Sequence, residues 1–254
     1  MPRQARVRSI TGIYHIMLRG IDKRNVFLDN DDKLKFLESI EKAKEKDKFK
    51  ILGYCLMDNH IHMLLKEDED IGTSIKRITV GYVGWHNKKY DRIGHLFQNR
   101  YLSEPVNNEE YLLTVLRYIH QNPVKARIAA DVKDYSWSSF GDYYLTYNGQ
   151  KTIIDGTLMV ENYFKTFEEF SRYMNTISDD ECLETKTLKY NSDDNLTKII
   201  SNKYNVIRLQ ELPLNSKKDI IKAVYSKEDT SIRQLSRIFG IEKKMIENVI
   251  KGDK

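Results

Sequence analysis

The chain has 254 residues, with 42 Lys and Arg against 37 Asp and Glu, a net charge of +5, and 40% hydrophobic residues. That is enough apolar material for a core, so wholesale disorder is excluded, and the length suits one large domain or a domain with an appendage. No apolar run approaches the ~18–20 residues of a bilayer span, the basic start MPRQARVRS lacks the apolar stretch of a secretory signal, and two cysteines make neither a metal knuckle nor a disulfide framework, so a cytoplasmic protein is expected.

Ile13 to Arg19, closed by Gly20, reads as a strand of large apolar and aromatic residues. Asp29 to Lys48 sets Leu34, Phe36, Leu37 and Ile40 among charges behind Asp and Asn caps, the pattern of an amphipathic helix. A second strand region runs from Lys50 to Leu65, turned near Asp58-Asn59, and Gly72 to Tyr90 returns to helical spacing through Ile75, Ile78, Tyr82 and Trp85. Gly94 to Leu102 reads as a strand or hairpin. Glu109 to Gln121 reads as a helix ended near Pro123, because the residue before a proline disfavours α geometry. No glycine-rich phosphate loop follows any strand, so the β-α-β-α-β-α order predicts an α+β fold, one sheet with helices packed on one face, rather than a doubly wound nucleotide fold.

Asn148-Gly149 and the polar run Asn191 to Asn195 are boundary signals. They divide the chain into a body (1–145), an acidic helical or linker segment (146–195) and a tail (196–254). Charge follows a similar division: +4 over residues 1–150, −5 over 151–195 and +6 over 196–254. Two anion-facing modules joined by a segment that is not one would give this profile.

In the tail, Ile232, Leu235, Ile238 and Phe239 form one helical face, Gly240 supplies a turn, and Ile241, Met245, Ile246 and Val249 form the next face. Small Ser236, four residues before Gly240, completes the spacing of a helix-turn-helix. An earlier helix capped at Asn215-Ser216 and running through Tyr225 makes a three-helix unit. Lys243, Lys244 and Asn248 occupy exposed positions of the last helix, from which side chains reach phosphates and base edges.

Two segments carry chemistry. His60 and His62 sit two apart in a strand, so both imidazoles point to one face and can share a divalent ion if a third ligand approaches. In EEYLLTVLRYIHQNPVKA, Tyr118 and Asn122 lie one helical turn apart on one face. A phenol with an ordinary pKa near ~10 becomes a useful nucleophile only with activation and a polarised phosphate. The same spacing also suits a tyrosine that merely packs, with Asn122 as a cap, and His120 and Gln121 are rival ligands that spacing does not separate.

Taken together, YHIMLRG at 14–20, GYCLMDNHIHMLL at 53–65, GHLFQNRY at 94–101, YIHQNP at 118–123 and YSWSSF at 135–140 resemble the single-tyrosine HUH transposases, most closely their REP-associated branch. The likeness covers about residues 5–145. It implies an RRM-like, ferredoxin-like antiparallel sheet, metal ligation of Mg²⁺ or Mn²⁺ by His60, His62 and Asn122, and nucleophilic attack by Tyr118 on single-stranded DNA to give a 5′-phosphotyrosine. It further implies hairpin DNA from repetitive extragenic palindromes as partner, with duplex DNA open to the C-terminal module, a monomer or homodimer as the working form, and a place at the bacterial nucleoid. Arg19, Arg100 and Arg117 are candidate phosphate contacts. A DNA-binding regulator that keeps this fold without strand transfer is the alternative.

Overall fold

The computed structural model describes residues 6–68, 70–98, 100–177, 182–183, 193–204, 209–227, 230 and 232–251. Strand β1 (Ile13–Arg19) is followed by helix α1 (Asn30–Asp47), the hairpin of β2 (Lys50–Met57) and β3 (His60–Lys66), helix α2 (Ile71–Lys89) and β4 (Leu102–Pro105). The four strands form one antiparallel sheet in the order β2-β3-β1-β4, the ferredoxin-like arrangement of a βαββαβ chain. Asp29 starts α1 with a capping box: its carboxylate accepts from the Asp32 N–H while the Asp32 carboxylate accepts from the Asp29 N–H.

The strand expected over Gly94–Leu102 lies further on. Residues before Leu102 follow the end of β1 through the Gly20–Phe97 bridge and bonds from the Ile21 N–H to the Leu96 carbonyl and from the Gln98 N–H to the Arg19 carbonyl. The register then slips before the Met17–Leu102 pair, so the regular ladder begins where the expectation ended.

Helix α3 (Glu109–Lys125) begins on the Asn108 side chain, which accepts from the Tyr111 N–H at 2.7 Å, and runs through Pro123 rather than stopping before it. The proline falls in the final turn. It forfeits only its own bond toward the Ile119 carbonyl, and the Ala126 N–H still reaches the Asn122 carbonyl at 2.9 Å.

Ladder pairs sort the side chains by face. Met17 and Cys55 flank His62, Arg19 and Met57 flank His60, and His15 and Gly53 flank Leu64, all on one face of the sheet. Ile16, Leu18, Ile61 and Met63 turn the other way, fully buried in the core that α1 and α2 complete with Phe36, Ile40, Ile75, Ile78 and Tyr82. Helix α3 covers the imidazole face, so the sheet is buried on both sides rather than bearing all its helices on one. Gly53 permits this approach: a Cβ there would sit 2.7 Å from a methyl of Leu116, a fully buried α3 residue. Gly53→Val is therefore expected to push α3 off β2 and to cost ~1–3 kcal/mol of stability by overpacking, measured as a lowered denaturant midpoint.

Packing does not follow the expected boundary at 145/146: residues 146–177, the described start of the expected 146–195 segment, join the core of the sheet. One compact unit runs from Met1 to Leu183, and a second from Glu184 to Lys254. Asn148-Gly149 is a turn closing α4 (Phe140–Tyr147), with Gly149 at φ 71°, and beyond it come α5 (Thr157–Tyr163) and α6 (Phe167–Asn175). Ile154, Met159, Phe164, Phe170 and Met174 are buried in the same core as the sheet, with Phe170 against the rings of Phe140 and Tyr143. Glu161, Glu168 and Glu169 are exposed on the outside of this layer.

The second unit contains α7 (Asp193–Tyr204), α8 (Leu214–Lys227), α9 (Ile232–Phe239) and α10 (Lys243–Lys251), around a separate core that includes Leu196, Ile200, Ile221, Leu235, Phe239 and Ile246. Asn191 and the following serine, part of the expected boundary run, lie outside the described residues. Gly240 turns between α9 and α10 at φ 62°, a left-handed conformation that glycine adopts without strain, and the Ser236 hydroxyl donates to the Ile241 carbonyl at 2.6 Å. Of the residues expected on the second face, Ile246 and Val249 are buried and Ile241 packs against the core, whereas Met245 is 39% exposed. Among the described residues, no helix is long and apolar enough to cross a membrane.

Candidate active site

The hairpin turn that presents the two imidazoles is held from three sides. Val26 and Phe27 N–H groups donate to the Asp58 carbonyl, the Gly20 N–H donates to the Asn59 carbonyl, and the Asp58 carboxylate pairs with Lys33 of α1 at 2.8 Å. The His60 and His62 rings stand 5.1 Å apart, centroid to centroid, at right angles.

Each ring is oriented by a neighbour at Nδ1. Asn59 Oδ1 lies 2.6 Å from His60 Nδ1, and the amide nitrogen of Asn59 donates elsewhere, to the Lys23 carbonyl. The amide oxygen can only accept, so His60 carries its proton on Nδ1 and its lone pair on Nε2. His62 is fully buried, and its Nδ1 lies 2.9 Å from Nε2 of His15, also fully buried.

Tyr118, 5% exposed, lies over these rings, its ring 5.7 Å from that of His62 and 5.8 Å from that of His15, edge-on to both. Buried Leu112, Val115, Leu116 and Ile119 anchor α3, which turns Tyr118, Asn122 and Lys125 toward one side. Asn122 donates from Nδ2 to the Tyr118 carbonyl at 2.8 Å, which leaves its amide oxygen as the accepting end. The Lys125 ammonium is 5.2 Å from the centre of the Tyr118 ring.

The rival ligands point away. His120 contacts the Ser139 hydroxyl at 2.8 Å through Nε2 and the Met174 sulfur at 3.3 Å through Nδ1, while Gln121 donates to the Met174 and Thr176 carbonyls. Burial holds His120 neutral, its pKa depressed to about 3. The unfolded chain binds a proton there below its ordinary value near ~6.5 and the native chain does not, so stability is lost as pH falls from ~6.5 toward 3. Thermal melts across that window are expected to fall more steeply for the wild type than for His120→Gln, by up to ~1.4 kcal/mol per pH unit.

The donor chemistry fits a divalent ion: an imidazole whose proton is fixed on Nδ1, a second imidazole beside it, and an amide oxygen on the helix that carries Tyr118 suit Mg²⁺ or Mn²⁺. Among the described residues, no group of three or more His, Cys, Asp or Glu side chains is arranged to hold a metal.

The basic candidates divide. Arg19 is the cross-strand neighbour of His60 and shares its face. Arg100 instead lines a cavity of about 1130 Å³ with Arg6, Arg8, Tyr14, Lys76 and Tyr101, toward the face opposite the imidazoles. The Arg117 guanidinium lies 4.7 Å over the ring of Tyr173 in α6. In the second unit, Lys243 pairs with Glu247 at 3.5 Å, and Lys244 and Asn248 are exposed. Sequence reasoning passed over His15 and Lys125. Strand alternation puts His15 on the same face as His62, and Lys125 lies two helical turns from Tyr118, so both signals were present.

Residues 9–122 match the family model of IS200-like transposases, a span that includes His15, His60, His62, Tyr118 and Asn122. A Haemophilus influenzae protein described as a candidate REP-associated tyrosine transposase is 24% identical over 142 residues, covering 51% of this chain and 80% of that protein. A solved structure of a REP-associated tyrosine transposase bound to a REP hairpin is 20% identical with a TM-score of 0.49, covering 61% of this chain and 90% of its own. A candidate transposase from Deinococcus radiodurans is 14% identical with a TM-score of 0.34, covering 47% and 96%.

Proposed function

From the IS200-like transposase match over residues 9–122 and the seating of Tyr118 against the paired imidazoles, we propose that the chain is a metal-dependent endonuclease and strand transferase acting on single-stranded hairpin DNA. The observation that carries this reading is the 5.7 Å between the Tyr118 and His62 rings, which supports taking Tyr118 as the nucleophile and His60 with His62 as its metal-binding pair.

The Tyr118 oxygen attacks a backbone phosphorus, forms a new phosphoester bond and loses its proton. The bond from phosphorus to the 3′ oxygen breaks, and that oxygen leaves as a hydroxyl after taking up a proton. The products are a 5′-phosphotyrosine and a free 3′ end. One phosphoester replaces another, so the reverse step joins strands without ATP, in keeping with the absence of a GxxxxGK[ST] motif.

His60, His62 and Asn122 would hold the ion, which when bound supplies positive charge to the scissile phosphate. The chain's other task is positioning: α3 aims the phenol, and Arg19 and Lys125 offer charge to the approaching strand. The α9–α10 pair, with Lys243, Lys244 and Asn248 on its last helix, is read as a helix-turn-helix that adds contacts to duplex or hairpin DNA. Such a partner would keep the protein at cytoplasmic DNA.

The direct test is incubation of the full chain with end-labelled hairpin DNA bearing a single-stranded flank, with Mn²⁺, followed by a denaturing gel. A covalent protein–DNA adduct is expected; tight binding without adduct would leave a DNA-binding regulator. Because the second unit has its own core, removing residues 184–254 is expected to leave the melting of the first unit nearly unchanged. The same truncation is expected to weaken DNA binding about tenfold or more, as loss of several phosphate contacts does, measured by titration at fixed salt.

A further inference from the structure

Imidazoles buried between a sheet and a helix are costly unless their ring nitrogens have a use. His15 and His62 are both fully buried, 2.9 Å apart through Nε2 and Nδ1, with ring centroids 5.1 Å apart. One nitrogen of this pair must donate and the other accept, and the choice fixes the tautomer of both rings. If His15 donates, His62 is left with its proton on Nε2, and that nitrogen cannot ligate a metal. If His62 donates from Nδ1, its lone pair lies on Nε2, matching the arrangement that Asn59 imposes on His60.

We propose that His15 is a positioning residue: it accepts the Nδ1 proton of His62, holds that ring in its ligating tautomer and fixes its angle to Tyr118. The metal-binding part of this inference rests on the strand-transferase reading; the tautomer does not. Three features support it. His15 is within ring contact of both the ligand and the nucleophile, at 5.1 and 5.8 Å. Its cross-strand neighbour on β4, on the same face, is Glu104, whose carboxylate accepts from Tyr111 at 2.6 Å, so an acidic side chain is the next residue to His15 across the ladder. And a metal-binding imidazole is ordinarily oriented by an acceptor at its other nitrogen.

The test uses the full, metal-free chain with ¹⁵N-labelled histidine, observed by long-range nitrogen–proton NMR at alkaline pH, where imidazoles are neutral. His62 is expected to show a protonated Nδ1 and a lone-pair-bearing Nε2. In His15→Leu, which keeps the bulk and removes the acceptor, that signature is expected to give way to the Nε2–H form, and Mn²⁺ affinity by calorimetry is expected to drop ~10–100-fold. His15→Gln, which restores an acceptor, should recover part of both. A wild-type His62 protonated on Nε2, or a tautomer unchanged in His15→Leu, would overturn the proposal. If the leucine variant does not fold, the wild-type spectrum and the glutamine variant decide it. Wild-type protein that binds no Mn²⁺ yet shows the tautomer and its loss would sink the metal-dependent reading while leaving the orienting role of His15 intact.

Discussion

Tyr118→Phe is expected to abolish the covalent adduct with single-stranded DNA, a loss of at least ~10³-fold in cleavage, because it removes the oxygen proposed to form the phosphoester. The substitution is mild in every other respect. Phenylalanine keeps the ring that packs edge-on to His15 and His62, so melting temperature, Mn²⁺ affinity and hairpin affinity should stay close to wild type. The other tyrosines nearest in sequence are poor substitutes. Tyr111 gives its hydrogen bond to Glu104, and burial together with that carboxylate pushes its pKa upward. Tyr101 lines the cavity toward the opposite face, its pKa also raised by burial. An adduct of undiminished yield from Tyr118→Phe would remove Tyr118 as nucleophile.

His60→Ala should be the next most damaging change, with cleavage reduced ~10²–10⁴-fold at fixed Mn²⁺, the equivalent of several kcal/mol of lost charge stabilisation. His60 is the better choice than His62 for isolating chemistry. It is only partly buried, whereas removing the fully buried His62 ring would also leave a cavity. Raising the Mn²⁺ concentration should restore part of the activity of His60→Ala and almost none of that of the His60→Ala, His62→Ala double variant. Cleavage by His60→Ala at the wild-type rate, with full Mn²⁺ dependence, would show that the ion sits elsewhere.

Much of this arrangement was legible in the residues. Strand alternation alone puts His60 and His62 on one face, and helical spacing alone puts Asn122 one turn from Tyr118. What eluded that reading has physical causes. Residues of β1 are buried on both sides because α3 closes the second face, so YHIMLR reads as a continuous apolar run in which His15 looks like one more core residue. The sequence LSEP has no strand signature and is held in β4 by its ladder with β1. That His120 and Gln121 are engaged elsewhere depends on α6, some fifty residues on, whose Met174 contacts both. The aromatic stripe of Phe164, Phe167 and Phe170 was masked by the acidic residues around it, although it builds the layer behind the tyrosine helix.

That rear layer restricts where the nucleophile can go. His120 and Gln121 bind α3 to the Ser139 turn and to the end of α6 through contacts that are buried or nearly so. Lending α3 to a second copy of the chain would break several of these at ~1–3 kcal/mol for each polar group left unsatisfied, or would have to carry α6 along. These contacts thus favour a phenol supplied in cis, by the same polypeptide that carries the imidazole pair, over one exchanged between copies.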